Sequence, residues 1–386
     1  VKIRVERDVL ADAVQWVARS LPNRPSVPIL AGMRLEAAGN EVVLSSFDYE
    51  TSAKVTLPAD VSEEGTVLVS GRLLADIARS LPAKPVDMEA DSTKMELTCG
   101  SARFTLQLLP VAEYPELPTM PEATGTITPD AFAQAVSQVV VAAGRDELLP
   151  VFTGVRLEIE GDTLSLLATD RYRMALRELP WRPASGRAEG AALVPARVLA
   201  ESSKSMTAGE SVTLSLSSSD GGDGLIGFAG EGANGVRETT TRLLDGEFPK
   251  VRHLMSVQPS VTVRANTSEV VAAVRRVALV AERNTSLRMM IADDHITLEA
   301  ATGDQAQAVE AVEATVVDET GQGLAMTAAG FNPHYLLDAL NALDTPYVNF
   351  AFTAPGKPCL LTPLLELDGE ASDDYKHVIM LMRLPQ

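Results

Sequence analysis

Few side chains in this sequence are spaced for chemistry. Asp48 in SSFDYE and Asp170 in LATDRYR are the tempting carboxylate pair for a hydrolase, in which one group gives a proton and the other accepts one. They stand 122 residues apart in matching contexts, however, which makes them equivalents in two copies of one unit and not partners. An Asp between a strand and a turn more often accepts hydrogen bonds from the backbone just ahead of it. Cys99 and Cys359 lie in apolar, strand-like surroundings without CxxC or Cys/His spacing, so they read as buried thiols in a reducing compartment. The four histidines are scattered, and there is no GxSxG, P-loop or dinucleotide fingerprint. No catalysis, metal or cofactor is expected.

Spacing is regular among certain basic residues. Arg72 and Arg79 are seven apart, and Arg197 and Lys204 repeat them 125 residues on; seven residues are two helical turns, so each pair shares one helix face. Such a face either meets phosphate or is simply solvated. The 52 acidic and 33 basic residues give a formal charge of −19, the wrong sign for a surface that coats nucleic acid. Net charge does not say where the basic residues gather.

The elements that hold these residues are written more than once. PILAGMRLE at 28–36 returns as PVFTGVRLE at 150–158, a period too long for a solenoid and suited to duplicated domains. In the first copy a helix is expected within 4–21. The three prolines of LPNRPSVP force a loop over 21–28, with Arg24 at its tip. Strands follow at GMRLEAAG, EVVLSSFD and TSAKVTLPAD, then a second helix over 69–82, and YPELPTMPEATG at 114–125 reads as a linker. The second copy repeats the order with helices at 129–143 and VPARVLAESSKSM. A fainter third copy has a strand and helix in VTVRANTSEVVAAVRRVALVAE and a second helix in FNPHYLLDALNAL, with His334 and Asn341 in place of the basic pair. DGGDG at 220–224 and the polar stretch 303–323 are expected to be surface turns.

The expected fold class is therefore α+β, with three repeated domains at 1–125, 126–256 and 257–386, each with two helices backed by antiparallel β-sheets. A chain of 386 residues, 46% hydrophobic, can bury three such cores. If the helices line up, the copies form an arc with a helical concave face. No apolar run is long enough for a membrane span and VKIRVERDVL lacks the apolar core of a secretory signal, so a soluble, cytoplasmic protein without membrane contact is expected.

In order and spacing, VERDVL, NRPSVPIL, PVFTGVRLE with LATDRYRMA, LLDGEFPKV, FNPHYLLDALNAL and the terminal VIMLMRL resemble the bacterial sliding clamps, the beta subunits of DNA polymerase III. The resemblance covers essentially the whole chain. It implies three DNA-clamp domains forming half of a closed ring, with two chains joined head to tail and twelve helices lining a hole for double-stranded DNA. It further implies a non-catalytic processivity factor, whose partners are the replicative DNA polymerase, other clamp-binding proteins and a clamp loader. A ring holds DNA by topology and needs no tight phosphate grip, so an acidic exterior with basic inner helices agrees with the charge. Arg24, Arg72, Arg79, Arg197 and Lys204 then face DNA, while Pro150 and Val151 replace aromatic DNA contacts of the family.

The resemblance also implies a hydrophobic pocket for short peptide motifs. The matching positions are Phe152, Thr169, Arg171, Tyr172, Arg173 and Met174 in the middle copy and Pro249 and Leu254 at the junction. The third copy and tail contribute Pro358, Val378, Met380, Leu381, Met382, Arg383 and Leu384. Met and Leu adapt to varied apolar side chains, and Arg fixes a peptide's polar ends; alternatively VIMLMRL is a core-filling last strand. Leu381 stands where the family commonly has proline, and Pro385 and Gln386 run past its usual terminal Arg-Leu. Phe104 and Leu106 on one side, with Leu279 and Val280 on the other, match the homodimer interface, their alternative being plain core packing. A repeat protein that only docks other proteins shares the pocket expectation but not the DNA one.

Overall fold

The computed structural model describes residues 1–186, 188–217 and 224–384; most of the DGGDG turn and the Pro385–Gln386 extension lie outside them. Six α-helices occur among the described residues: α1 (Arg7–Ala18), α2 (Gly71–Ser80), α3 (Pro129–Val140), α4 (Ala196–Ser205), α5 (Thr267–Ala278) and α6 (Pro333–Leu343). Local chemistry starts several of them. The Ser70 hydroxyl accepts from Leu73 N at the head of α2, and Asn266 and Asn332 cap α5 and α6 in the same way, with Pro333 in the first turn of α6.

The sequence repeat is repeated in three dimensions. Pro28–Ala31 and Pro150–Thr153 each form a short 3-10 turn leading into a strand, Gly32–Ala38 and Gly154–Glu160. The two aspartates have matching local tasks. Asp48 Oδ1 accepts from Glu50 N (3.0 Å) and Thr51 N (2.7 Å), and Asp170 Oδ1 from Tyr172 N (3.0 Å) and Arg173 N (3.1 Å). Each is followed by a residue in the left-handed region, Tyr49 at φ 72° and Arg171 at φ 80°, a conformation those hydrogen bonds hold in place.

The chain divides into two compact units. The first comprises Val1–Ala133, Trp181–Ala188 and Arg197–Leu243. It holds a five-stranded sheet with Lys2–Val5 second from one edge and Ala102–Gln107 at the other, and a nine-stranded sheet. Within the latter, first-copy strand Thr51–Pro58 pairs with second-copy strand Gly235–Arg242 in the register Ala53↔Thr239. Helices α1 and α2 cover a core that includes Leu10, Trp16, Met33, Leu44, Leu74 and Leu97. The second unit comprises Gln134–Pro180, Glu189–Ala196 and Leu244–Gln386 and is built on one twelve-stranded sheet. Its seam joins Arg173–Pro180 of the second copy to Tyr375–Ile379 of the third, with Arg173↔Ile379 and Met174↔Val378. The middle copy thus has no sheet of its own, because its strands extend the sheets of its neighbours.

One expectation is corrected. Most of the polar stretch 303–323 is not a turn: Ala306–Asp318 is a 13-residue strand, paired with His295–Thr302 along one half and with Val261–Asn266 along the other. Its Glu, Gln and Thr residues suggest a solvated loop, but Ala308, Val312, Ala314 and Val316 fall on one pleat face with period two. Only the reversals at its two ends are turns.

The expected linker opens with an anchor. Tyr114 is buried among Ile29, Leu30, Phe47 and Leu68. Its hydroxyl accepts from Phe47 N (2.7 Å) and lies 3.4 Å from Phe47 O, and burial pushes the phenol up to about 12. Tyr114→Phe leaves the buried Phe47 N–H without its partner and is expected to destabilise the chain by about 1–3 kcal/mol in urea unfolding. A change below about 0.5 kcal/mol contradicts the anchor.

Candidate functional site

All the residues expected to take peptides lie in the second unit, where the sheet seam sets their order. Thr169, Met174 and Val378 are at most 2% exposed and form the floor. Thr169 Oγ1 donates to Arg173 O (2.8 Å) and accepts from Arg171 N (3.1 Å), closing the turn that lifts the next side chains out. Arg171 is exposed with its guanidinium 5.4 Å from the Phe152 ring centre, and Tyr172 is exposed and stacked on Tyr335 at 6.4 Å. Arg173 has a different role. It is half-buried, paired with Asp170 (3.2 Å) and Asp338 (2.6 Å) and set 4.4 Å over the Tyr335 ring, so its charge is committed within the protein.

The tail closes the other side. Regular pairing stops at Ile379, after which Met380 N donates to Tyr172 O (2.9 Å) and Met382 N to Gly330 O (2.8 Å). Met380 is half-buried against a cluster that includes Leu167, Met174, Leu176 and Val378, with Leu254 beside it. Leu384 lies across Gly330, where an added Cβ would sit 2.7 Å from Met382 O; only glycine lets the tail approach this closely. Leu381, Met382 and Leu384 are half-buried and Arg383 is exposed, so the Met-Leu run is neither a core strand nor free. Pro249 and Pro358 are half-buried at the rim. The result is a shelf of adaptable apolar side chains with arginines at its edge, suited to holding a short apolar peptide.

Beside the shelf is a groove of about 620 Å³ lined by Arg156, Glu158, Leu167 and the crossing segment 246–253. Arg252 spans it, reaching Glu158 (2.6 Å) and Glu178 (2.8 Å), while Arg156 holds Glu158 at 2.9 Å. Burial pushes the Glu158 carboxyl up, but the hydrogen bonds from Arg156 and Arg252 outweigh it and leave the group below its ordinary value. Sequence reasoning missed Arg252, Tyr335 and Asp338. For the last two there was a signal: they lie three apart on α6, hence on one face.

In the first unit the basic residues are partly gathered. Arg72, Arg79 and Arg197 line a groove of about 490 Å³ between α1, α2 and α4, joined by Arg19, which sequence reasoning missed. Arg72 donates to Asn23 Oδ1 (2.8 Å) and Arg79 to Gln15 Oε1 (3.0 Å). Asp76 and Glu201 share the groove, Glu201 paired with Arg19 at 3.4 Å. Arg24 is exposed in its loop and Lys204 on α4, both away from the groove lining.

The interface candidates separate by exposure. Leu106 is 2% exposed in the core of the first unit, with Phe104 half-buried against that core on the same edge strand. Leu279, by contrast, is 84% exposed at the end of α5, and Val280 is half-buried with its carbonyl accepting from Thr302 Oγ1.

Comparison with known proteins agrees with this geometry. Profiles of the DNA polymerase III beta subunit match in chain order: the N-terminal domain at 1–118, the central domain at 126–250 and the C-terminal domain at 254–383. The chain belongs to this family. It is 52% identical to the beta sliding clamp of Streptomyces coelicolor, over 99% of both chains. It is 49% identical to that of Micrococcus luteus, over 82% of this chain and 99% of the other. The crystal structure of the Bacillus subtilis sliding clamp superposes with a TM-score of 0.87 at 24% identity, covering 100% of this chain and 99% of that one, which establishes the clamp fold. As a sliding clamp this chain is a non-catalytic processivity factor of DNA replication. No helix among the described residues is long and apolar enough to cross a membrane.

The clamp's crossing segment carries a pH signature. Because Glu158 is depressed in the folded state, its contribution to stability is present above the ordinary 4.5 and lost as pH falls through the lower folded value. A carbon-13 NMR titration is expected to place the Glu158 carboxyl below 4.5 and to find it higher in Arg252→Gln; no change in that variant contradicts the bridge.

Proposed function

We propose that the chain forms half of a ring, a head-to-tail homodimer of domains 1–125, 126–256 and 257–386 that encircles double-stranded DNA in the cytoplasm after a clamp loader has opened it. The observation that carries this reading is the presence of two unlike open surfaces. Among the described residues Ala102–Gln107 is an edge strand with an unpaired side in the first unit, and Leu279 projects at 84% exposure in the second. A heterologous contact needs such unlike surfaces, and it closes when the rotation fits. Leu106 then contributes through the backbone of its strand, and Phe104 through its half-exposed ring. Arg24, Arg72, Arg79, Arg197 and Lys204 face the DNA, and the Met-rich shelf takes the peptide motifs of the polymerase and other clamp-binding proteins.

Leu279→Glu with Val280→Glu is expected to convert a dimer of about 82 kDa, twice 41.0 kDa, into soluble monomers in sedimentation. The unaltered protein should stay on closed circular DNA and leave it when the circle is cut. A variant that remains dimeric refutes the interface, and retention on linear DNA refutes the topological grip in favour of ordinary phosphate binding.

Met380→Glu places a charge on the peptide shelf without touching either proposed closing surface. It is expected to weaken binding of an apolar clamp-binding peptide at least tenfold, a loss of about 1.4 kcal/mol or more, while mass and retention on circles stay unchanged. Unaltered peptide affinity contradicts the shelf assignment.

A further inference from the structure

The second unit's groove contains its own guanidinium, and the first unit has the equivalent sheet-face pair and crossing segment without one. Arg34 and Glu36 are the 122-residue equivalents of Arg156 and Glu158, and the Glu-Tyr-Pro of 113–115 crosses the first groove as the Glu-Phe-Pro of 247–249 crosses the second. The first groove encloses about 710 Å³. Its floor is a sheet face on which Glu36 stands opposite Val43, and its walls include Val111 and Leu117.

The difference between the grooves is electrostatic. The second crossing segment brings in Lys250 and Arg252; the positions that correspond to them in the first are Glu116 and Pro118. Arg156 holds Glu158 Oε1, and Arg252 takes the remaining Oε2. Arg34 likewise holds Glu36 Oε2 (2.9 Å), and among the described residues Glu36 Oε1 has no hydrogen-bond partner. Glu41 and Glu116, also in the lining, make no ion pair among the described residues, while the remaining lining cation, Lys54, lies 3.8 Å from Glu238. Tyr114 fixes the crossing segment through Phe47, so the groove is formed before anything binds.

We infer that this first-unit groove is a docking site for an extended, arginine-bearing segment of a partner protein, seated on Glu36 as Arg252 is seated on Glu158. Arg252's second carboxylate, Glu178, corresponds to Thr56 in the first copy, and Glu41 and Glu116 supply the acid in its place. Glu41 and Glu116, which make no ion pair among the described residues, and the free Oε1 of Glu36 complement a guanidinium, whose planar fork can take two carboxylate oxygens at once. Val43, Val111 and Leu117 take the apolar residues beside it. The site is separate from the Met-rich shelf, so one chain presents two different peptide surfaces.

The test uses the full chain and a fluorescent peptide of its own residues 246–255, GEFPKVRHLM, read by anisotropy. Saturable binding is expected below about 1 mM, weakened at least fivefold in Glu36→Gln with Glu116→Gln and again when the peptide's Arg252 is replaced by Gln. Met380→Glu is expected to leave it unchanged. Absence of saturation overturns the proposal. So does binding that survives the double variant, or that is lost in Met380→Glu, which would assign the peptide to the shelf. Ring closure and DNA retention do not enter this measurement, so its failure is distinguishable from theirs.

Discussion

An unpaired strand edge is the constraint from which most of this structure follows. Thr51–Pro58 and Arg173–Pro180 are equivalents, each the third strand of a meander, and each would expose a row of unmet backbone groups if its copy stood alone. Both are paired instead by a strand from the next copy, Gly235–Arg242 for one and Tyr375–Ile379 for the other. The second of these pairings builds the peptide shelf. It sets Arg173 opposite Ile379, so the turn at Arg171 and Tyr172 meets the start of the Met-Leu tail. The shelf exists because two meanders share a seam, and their loose ends emerge at the same point.

The two seams are alike in hydrogen bonding and differ in how their ends are filled. At the first junction the linker aromatic is Tyr114, tied by its hydroxyl to Phe47 and packed on Ile29 and Leu68. At the second, Phe248 replaces Tyr114 and Thr169 replaces Phe47, so the hydroxyl now belongs to the strand end and serves to close a turn. The bulk removed by Phe47→Thr at the equivalent position is about that of a ring, and burying an aromatic ring is among the larger single contributions to a core. Small differences between copies therefore change how each junction is tied: by a tyrosine hydroxyl on the linker in the first and by a threonine hydroxyl on the strand end in the second.

Sequence reasoning found what periodicity and punctuation encode. The helices were legible from apolar spacing in the first copy and from its repetition in the other two, and the duplication from PILAGMRLE and PVFTGVRLE. Residues 306–318 were misread because alternating alanine and glutamate have little apolar contrast, and a strand is specified as much by its neighbours as by its own composition. Arg173 sits in the motif singled out from the sequence, but its pairing with Asp338, 165 residues away, depends on tertiary geometry that no local pattern carries. The same holds for Arg252, whose two carboxylates, Glu178 and Glu158, lie 74 and 94 residues earlier in the chain.

In the proposed ring, the basic groove of the first unit reconciles a net charge of −19 with a place on DNA. Four arginines line it, yet Arg19 is held by Glu201, Asp76 lies 3.8 Å from Arg79, and Arg72 and Arg79 are steered by the neutral Asn23 and Gln15. Exposed ion pairs of this kind are weak, on the order of 1 kcal/mol or less, so the arginines stay exchangeable between an internal carboxylate and an external phosphate. In the proposed ring that exchange is an advantage. A site binding one phosphate tightly would pin the clamp at each step, because every backbone phosphate is equivalent and each must be released before the next is met. In that proposed arrangement, tempering the arginines with nearby acids flattens the energy profile along the duplex, and topology, not affinity, would keep the protein on its track.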